Sequence, residues 1–360
     1  MSSLKAQSPT DIVVEVQPFS MNPLDKDSKF KMIMKQSFVK NADFSASRFL
    51  LYKGKSSIQL AQLLTRPAHS IINQSFDCRL RLDTRRTING DGFGVGWYEN
   101  SDPKIPNDDT PCIFTSVTPA WNNQNLSRLA EKIKSPLVFA HVRASTSGAL
   151  SETNCHPWQY NRLMWMHNGN IAEFHKIKRI LQQSLREEIF LFVQGNTDSE
   201  WAFALFLNHL DDPQNGTFDH ETLKNAMLKT IEQLNTWADE AGITETSLLN
   251  FAVTDGCSVV CTRYINSRTE EAASLYFSSG TSFMEYKPGH YRMIKADKRE
   301  DIVLVASEPL TFEKADWLTI PTNTCLVITP KLNVLLFPIK DRFHNAERTK
   351  RRKFPTTPAS

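Results

Sequence analysis

The 360-residue sequence has no apolar run of 18 residues or more, and none of 15 near its N-terminus. Neither a membrane-spanning helix nor a secretory leader is expected, and the reading is cytoplasmic. Six cysteines stand at 78, 112, 155, 257, 261 and 325, with no CxxC pair and no regular close spacing. That scatter excludes a disulfide framework, and the thiols read as reduced and mostly buried. Cys257 and Cys261 lie four apart without two further ligands nearby, so packing is preferred to zinc and no metal is expected. No repeat of 20 to 50 residues is visible, which sets aside solenoids and propellers. An excess of either charge is also missing: 42 Lys and Arg against 39 Asp and Glu give +3. Residues 341–360 carry +4, leaving about −1 for the other 340, so neither nucleic acid nor a membrane is expected as partner. The basic cluster Arg348 to Lys353 reads as a solvated tail, with nuclear import or an anionic-surface contact as the alternative.

At 40% hydrophobic, the chain can bury one large core or two modest ones. Residues 1–46 show no sustained period and read as an extension, residues 47–340 as one globular domain, and 341–360 as a basic tail. RFLLYKG from Arg48 reads as a strand, and SIQLAQLLTRP as a short helix stopped by Pro67. GFGVGWY, PLVFAHV and LMWMH read as further strands. Phe174, Ile177, Leu181, Leu185 and Ile189 predict one amphipathic helix between Ala172 and Val193, and DSEWAFALFLNHL and ETLKNAMLKTIEQLNTWADEA predict two more. Six strand-like runs follow from Leu248 to Ile339. Strands, helices, then strands in one stretch predict an α+β layered architecture.

Arg143 follows the strand PLVFAHV, where a guanidinium at a strand end can grip a carboxylate through two parallel hydrogen bonds; Thr146 can add a hydroxyl. Asn168-Gly169 reads as a turn, and a turn is compatible with an oxyanion hole built from the Asn168 amide and the Gly169 N–H. Thr197 followed by Glu200 is a capping box, which puts Asp198 in the first helical turn, where it can also accept an ammonium. His156 reads as structural or as a base. Asn89 to Gly94, NGDGFG, runs into a strand and not a helix, which argues against a dinucleotide site. No cofactor is expected.

The order RFL, NGDGFG, HVRAST, SETNCHP, HNG, TDSE resembles the glutaminase domain of class II glutamine amidotransferases, which are N-terminal nucleophile hydrolases. TRPAHSIINQS, TPAWNNQNLS and ASEPLT resemble, more narrowly, the fungal amidotransferase subunit of glutathione degradation. The likeness covers about Arg48 to Ile339. It implies a four-layer αββα sandwich, with Arg143 and Thr146 on the substrate α-carboxylate, Asp198 on its α-ammonium, and Asn168 with Gly169 on the oxyanion. It also implies glutathione or another γ-glutamyl compound as substrate, an acyl-enzyme, and a peptidase-like partner subunit. Where related synthases commonly carry a Trp after the arginine this chain has Ala144, which implies a more open leaving-group side.

The resemblance places Ser47 where the family has an N-terminal cysteine. Such enzymes use the α-amine of that residue as general base, and an α-amine pKa of about 7.7–8.0 suits proton transfer near neutrality. An internal residue has no such amine, and a hydroxyl needs base activation more than a thiol does. Three readings follow: a mistaken start before a true Met-Cys-Arg-Phe, self-cleavage between Ala46 and Ser47, or an inactive γ-glutamyl-binding or scaffold subunit.

Overall fold

A computed structural model describes residues 47–76, 89–99, 110–144, 150–296 and 300–347. In chain order the strands are β1 (Arg48–Gln59), β2 (Phe93–Trp97), β3 (Cys112–Ser116), β4 (Lys134–Val142), β5 (Trp158–Tyr160), β6 (Leu163–Asn170), β7 (Leu248–Thr254), β8 (Val259–Arg263), β9 (Tyr276–Gly280), β10 (Ser282–Lys287), β11 (His290–Ile294), β12 (Ile302–Ala306), β13 (Leu318–Thr319), β14 (Thr324–Ile328) and β15 (Val334–Pro338). The helices are α1 (Ala61–Leu64), α2 (Ile71–Phe76), α3 (Gln124–Ala130), α4 (Phe174–Ser184), α5 (Glu187–Phe192), α6 (Asp198–Asn208) and α7 (His220–Glu240).

Alternation along the central strands builds the layers. In β1, Phe49 and Leu51 point to one face and Leu50 and Tyr52 to the other, and both faces are buried. The same parity divides β4 into Leu137 and Phe139 against Val138 and Ala140. One set packs on Met164, Met166, Ala252 and Leu326 of a second sheet, and the other packs beneath α1, α2 and α3. The first sheet has the order β13-β9-β12-β1-β4-β2-β3 and the second β15-β14-β8-β7-β6-β5, with every pairing antiparallel. Helices α4, α6 and α7 cover the outer face of the second sheet, so three apolar layers are separated by two sheets, an αββα sandwich.

Trp165 anchors the outermost layer, fully buried with ring centroids 4.7, 5.2 and 5.5 Å from Phe251, Phe206 and Phe203. Trp165→Ala is expected to cost about 3–5 kcal/mol of unfolding free energy in urea titrations.

Three expectations are corrected. SIQ continues β1 to Gln59 through an irregularity between Lys53 and Ile58, and the helix is only Ala61–Leu64. The segment 172–193 forms two helices and not one. Arg186 N–H donates to Asn208 Oδ1 at 2.9 Å, and its guanidinium bonds the Leu207 and Leu210 carbonyls at the end of α6, which breaks the helix at Leu185. Asn168-Gly169 is no turn, because β6 runs on to Asn170, paired with Leu248. Of the cysteines, Cys155, Cys261 and Cys325 are buried and Cys112 and Cys257 exposed, so the described thiols are mostly buried; Cys78 lies outside the described residues.

Candidate active site

The parity that builds the inner layer also aims the candidate residues. Arg143 lies two residues beyond His141 on the inter-sheet side of β4, Asn168 two beyond Met166 on that side of β6, and Ser47 two before Phe49 on β1. Because Arg48 pairs with Val142, Ser47 comes opposite Arg143, and Ala144 N–H donates to Ser47 Oγ at 3.0 Å. Ser307, at the end of β12, joins the sheets: its Oγ accepts from Phe49 N–H and from Asn168 Nδ2, both at 3.1 Å, and its N–H donates to the Phe49 carbonyl. Ser47, Arg143 and Asn168 are all at least 95% buried at this end of the inter-sheet gap. Arg48 donates to the Ser47 carbonyl at 3.0 Å and lies 4.0 Å from Glu308. Thr146 lies outside the described residues.

Gly169 supplies an N–H for a geometric reason. Leu249 donates its N–H to the carbonyl of Tyr264, just past the end of β8, so Leu249 turns away from β6, and the pair Gly169 and Leu249 is not hydrogen-bonded. The Gly169 N–H is therefore directed away from β7, to the side on which His167 N–H reaches His156 Nδ1 at 3.3 Å. A side chain at Gly169 would collide with the Leu248 carbonyl and stand 2.8 Å from His167 Nε2. Asp198, half-buried at the start of α6, accepts from Ile171 N–H at 2.7 Å, just past the end of β6. The helix is capped as expected by Thr197 Oγ1, but the Glu200 carboxylate instead accepts from Gln194 and Gly195 N–H at 2.9 and 2.7 Å. Burial raises its pKa.

Gly92 and Gly94 of NGDGFG admit the SETNCHP segment. A Cβ at Gly94 would coincide with the His156 carbonyl, so Gly94→Ala must displace that segment or β2. We expect a loss of about 1–3 kcal/mol in chemical denaturation. Cys155 sits beside Gly92, where burial, opposed by Arg143, pushes its thiol up to about 11. It is a protonated packing residue and no substitute nucleophile.

Three histidines fill the space behind Arg143. His141 and His156 stack with centroids 3.9 Å apart, and both His141 nitrogens lack a hydrogen-bond partner among the described residues. Burial, then the charges of Arg143 and His167, lowers His141 to about 3. Burial followed by neighbouring His141, His167 and Arg143 holds His156 well below the ordinary histidine range. His156 is thus a neutral acceptor for His167 N–H, a structural role. Burial lowers His167 also, opposed by Asp198 and the Leu248 carbonyl.

Sequence reasoning missed Ser307, Ser199 and His167. ASEPLT carried the signal for Ser307, since it packs on TRPAHSIINQS through Gln74 Nε2 and His69, both of which approach the Pro309 carbonyl. Among the described residues, no group of three or more His, Cys, Asp or Glu side chains is placed to hold a metal, and no helix is long and apolar enough to cross a membrane.

Two facing antiparallel sheets between helix layers, with a polar cluster at the end of β1, define an N-terminal nucleophile hydrolase architecture. The family profile of glutamine amidotransferases class-II matches residues 60–335, and the chain belongs to that family. It is 57% identical over 310 residues to the probable glutamine amidotransferase DUG3 of Saccharomyces cerevisiae, covering 83% of this chain and 86% of that one. Among solved structures, a glutamine aminotransferase class-II domain protein from Silicibacter pomeroyi aligns with a TM-score of 0.52 and 21% identity, over 81% of this chain and 98% of that chain. That likeness shows the shared fold.

Proposed function

We propose that the chain binds a γ-glutamyl head group at this end of the sandwich and, once residue 47 carries a free amine, hydrolyses the γ-glutamyl bond of glutathione or a related compound. The convergence of Ser47, Arg143 and Asn168 on one inter-sheet gap, tied together by Ser307 and Ala144, carries this reading. Arg143 takes the α-carboxylate, with Thr146 beside it, and Asp198 takes the α-ammonium. The Ser47 hydroxyl attacks the γ-carbonyl and its proton passes to the residue's own α-amine. The oxyanion forms between Asn168 Nδ2 and Gly169 N–H, and loss of one such donor typically costs about 10²–10³ in rate. Collapse expels the amine, which takes the proton, and leaves a glutamyl ester on Ser47. Water cleaves the ester to glutamate. The small Ala144 leaves room for a peptide leaving group, and the family resemblance adds a peptidase-like partner subunit to the proposal.

A second reading has its own observation. Ser47 follows Ala46 in the sequence, so its nitrogen is an amide and has no basic lone pair. In that form the site binds γ-glutamyl ligands without turnover. Intact mass combined with a glutamate-release assay separates the two: chains beginning at residue 47 are expected to release glutamate from glutathione, and uncleaved chains to be stabilised by glutathione thermally without release. Equal release from both forms would contradict the amine's role.

A further inference from the structure

The Ser199 hydroxyl stands between two groups that compete for it. It lies 2.7 Å from His167 Nδ1 and 3.2 Å from Asp198 Oδ1, and it has one proton to give. The other ring nitrogen settles the tautomer. His167 Nε2 is 2.9 Å from the Leu248 carbonyl, which only accepts, so Nε2 carries the hydrogen and Nδ1 of the neutral ring is an acceptor. In the neutral site Ser199 therefore donates to His167, and among the described residues Asp198 Oδ1 keeps only the Ser199 N–H, at 2.8 Å. That leaves lone pairs on Asp198 for an incoming cation.

We propose that His167, through Ser199, sets how strongly Asp198 holds the substrate ammonium, so that protonation of His167 weakens binding of the γ-glutamyl head group. A proton taken from solvent at Nδ1 turns that nitrogen into a donor to Ser199 Oγ. The hydroxyl hydrogen must then rotate onto Asp198 Oδ1, occupying the acceptor that the substrate needs. No bond is made or broken beyond this one added proton. The imidazolium also places a like charge near the substrate ammonium. His167 is a positioning residue, since it acts through Ser199.

The groups around His167 define what else titrates there. From α6 these are Ser199 and Asp198, and from β7 the Leu248 carbonyl and the Phe251 ring at 4.6 Å. Ahead of β5 stands His156, and from β4 and the residue just past it come His141 and Arg143, whose charges bear on the same cluster. Among the described residues His141 and His156 make no hydrogen bond to Ser199 and cluster with Arg143, so their protonation would affect binding whether or not Ser199 has a hydroxyl.

The inference rests on the reading of Asp198 as ammonium acceptor. The probe is L-glutamine, which does not titrate between about pH 5 and 8, measured by calorimetry on the full chain. Wild-type affinity is expected to fall roughly tenfold on acidification across the window in which His167 protonates, the loss of about one charged hydrogen bond. Ser199→Ala should shrink that fall, leaving only the direct charge effects, and Ser199→Thr, which restores a hydroxyl, should bring it back. A purely structural role for Ser199 would lower affinity equally at every pH. Parallel pH profiles for wild type and Ser199→Ala, whether superimposed or offset, overturn the relay. If wild type binds L-glutamine at no pH, or Arg143→Ala binds it as wild type does, the head-group reading fails instead.

Discussion

Arg143→Ala is expected to weaken binding of glutathione and L-glutamine alike by about 10²-fold or more, with the far-ultraviolet circular dichroism spectrum unchanged. Arg143 is 5% exposed and lies on the inter-sheet side beyond β4, so a carboxylate bound there is shielded from water and met by a planar donor fork. Hydrogen bonds to charged groups are worth about 1.5–3 kcal/mol each, and a bidentate pair loses two. Arg143→Lys keeps the charge without the fork and should recover part of the affinity. Equal loss for the two ligands is a further requirement, because they share the head group. Calorimetry on the three proteins checks this, and unchanged affinity in Arg143→Ala removes the carboxylate clamp.

The histidine cluster gives the second large effect. His141, His156 and His167 all have folded-state pKa values below the ordinary value of about 6.5. As pH falls below about 6.5 the unfolded chain takes up protons that the folded chain refuses, so stability drops with falling pH, toward the value of about 3 held by His141. Each histidine contributes up to about 1.4 kcal/mol per pH unit, and three together up to about 4. Glu200, raised by burial, acts in the opposite sense, but it is one group against three. Urea midpoints at pH 7, 6 and 5 should decline steeply. His141→Phe, which removes a ring with no partner for either nitrogen, should shallow the decline. A flat profile between pH 7 and 5 would contradict burial of the neutral rings.

Much of this was legible because strand parity is a local property. The runs at Phe49, Leu137 and Met164 announced strands, and counting by two from their buried members places Ser47, Arg143 and Asn168 on one face. The motifs around Arg143, Asn168 and Asp198 likewise stood in the sequence. What escaped depended on contacts between distant segments. Asn168-Gly169 has the composition of a turn, and only pairing with Asn250 and Leu249 makes it strand. Leu185 continues a helical period, and the break there comes from Arg186 bonding the far end of α6. The β10–β11 hairpin, Ser282 to Ile294, alternates weakly around Lys287-Pro288-Gly289 and packs only Phe283, Tyr291 and Met293 inward. Ser199 looked like one residue of a capping box until His167 was found beside it.

L-Glutamate is the product under the hydrolytic reading and a ligand under the binding one, so a crystal structure of the chain with L-glutamate tests the site without depending on turnover. The expected result is an α-carboxylate on Arg143, an α-ammonium on Asp198, and a γ-carboxylate oxygen between Asn168 Nδ2 and Gly169 N–H, facing Ser47. Glutamate bound elsewhere, or an empty gap at saturating concentration, would contradict it.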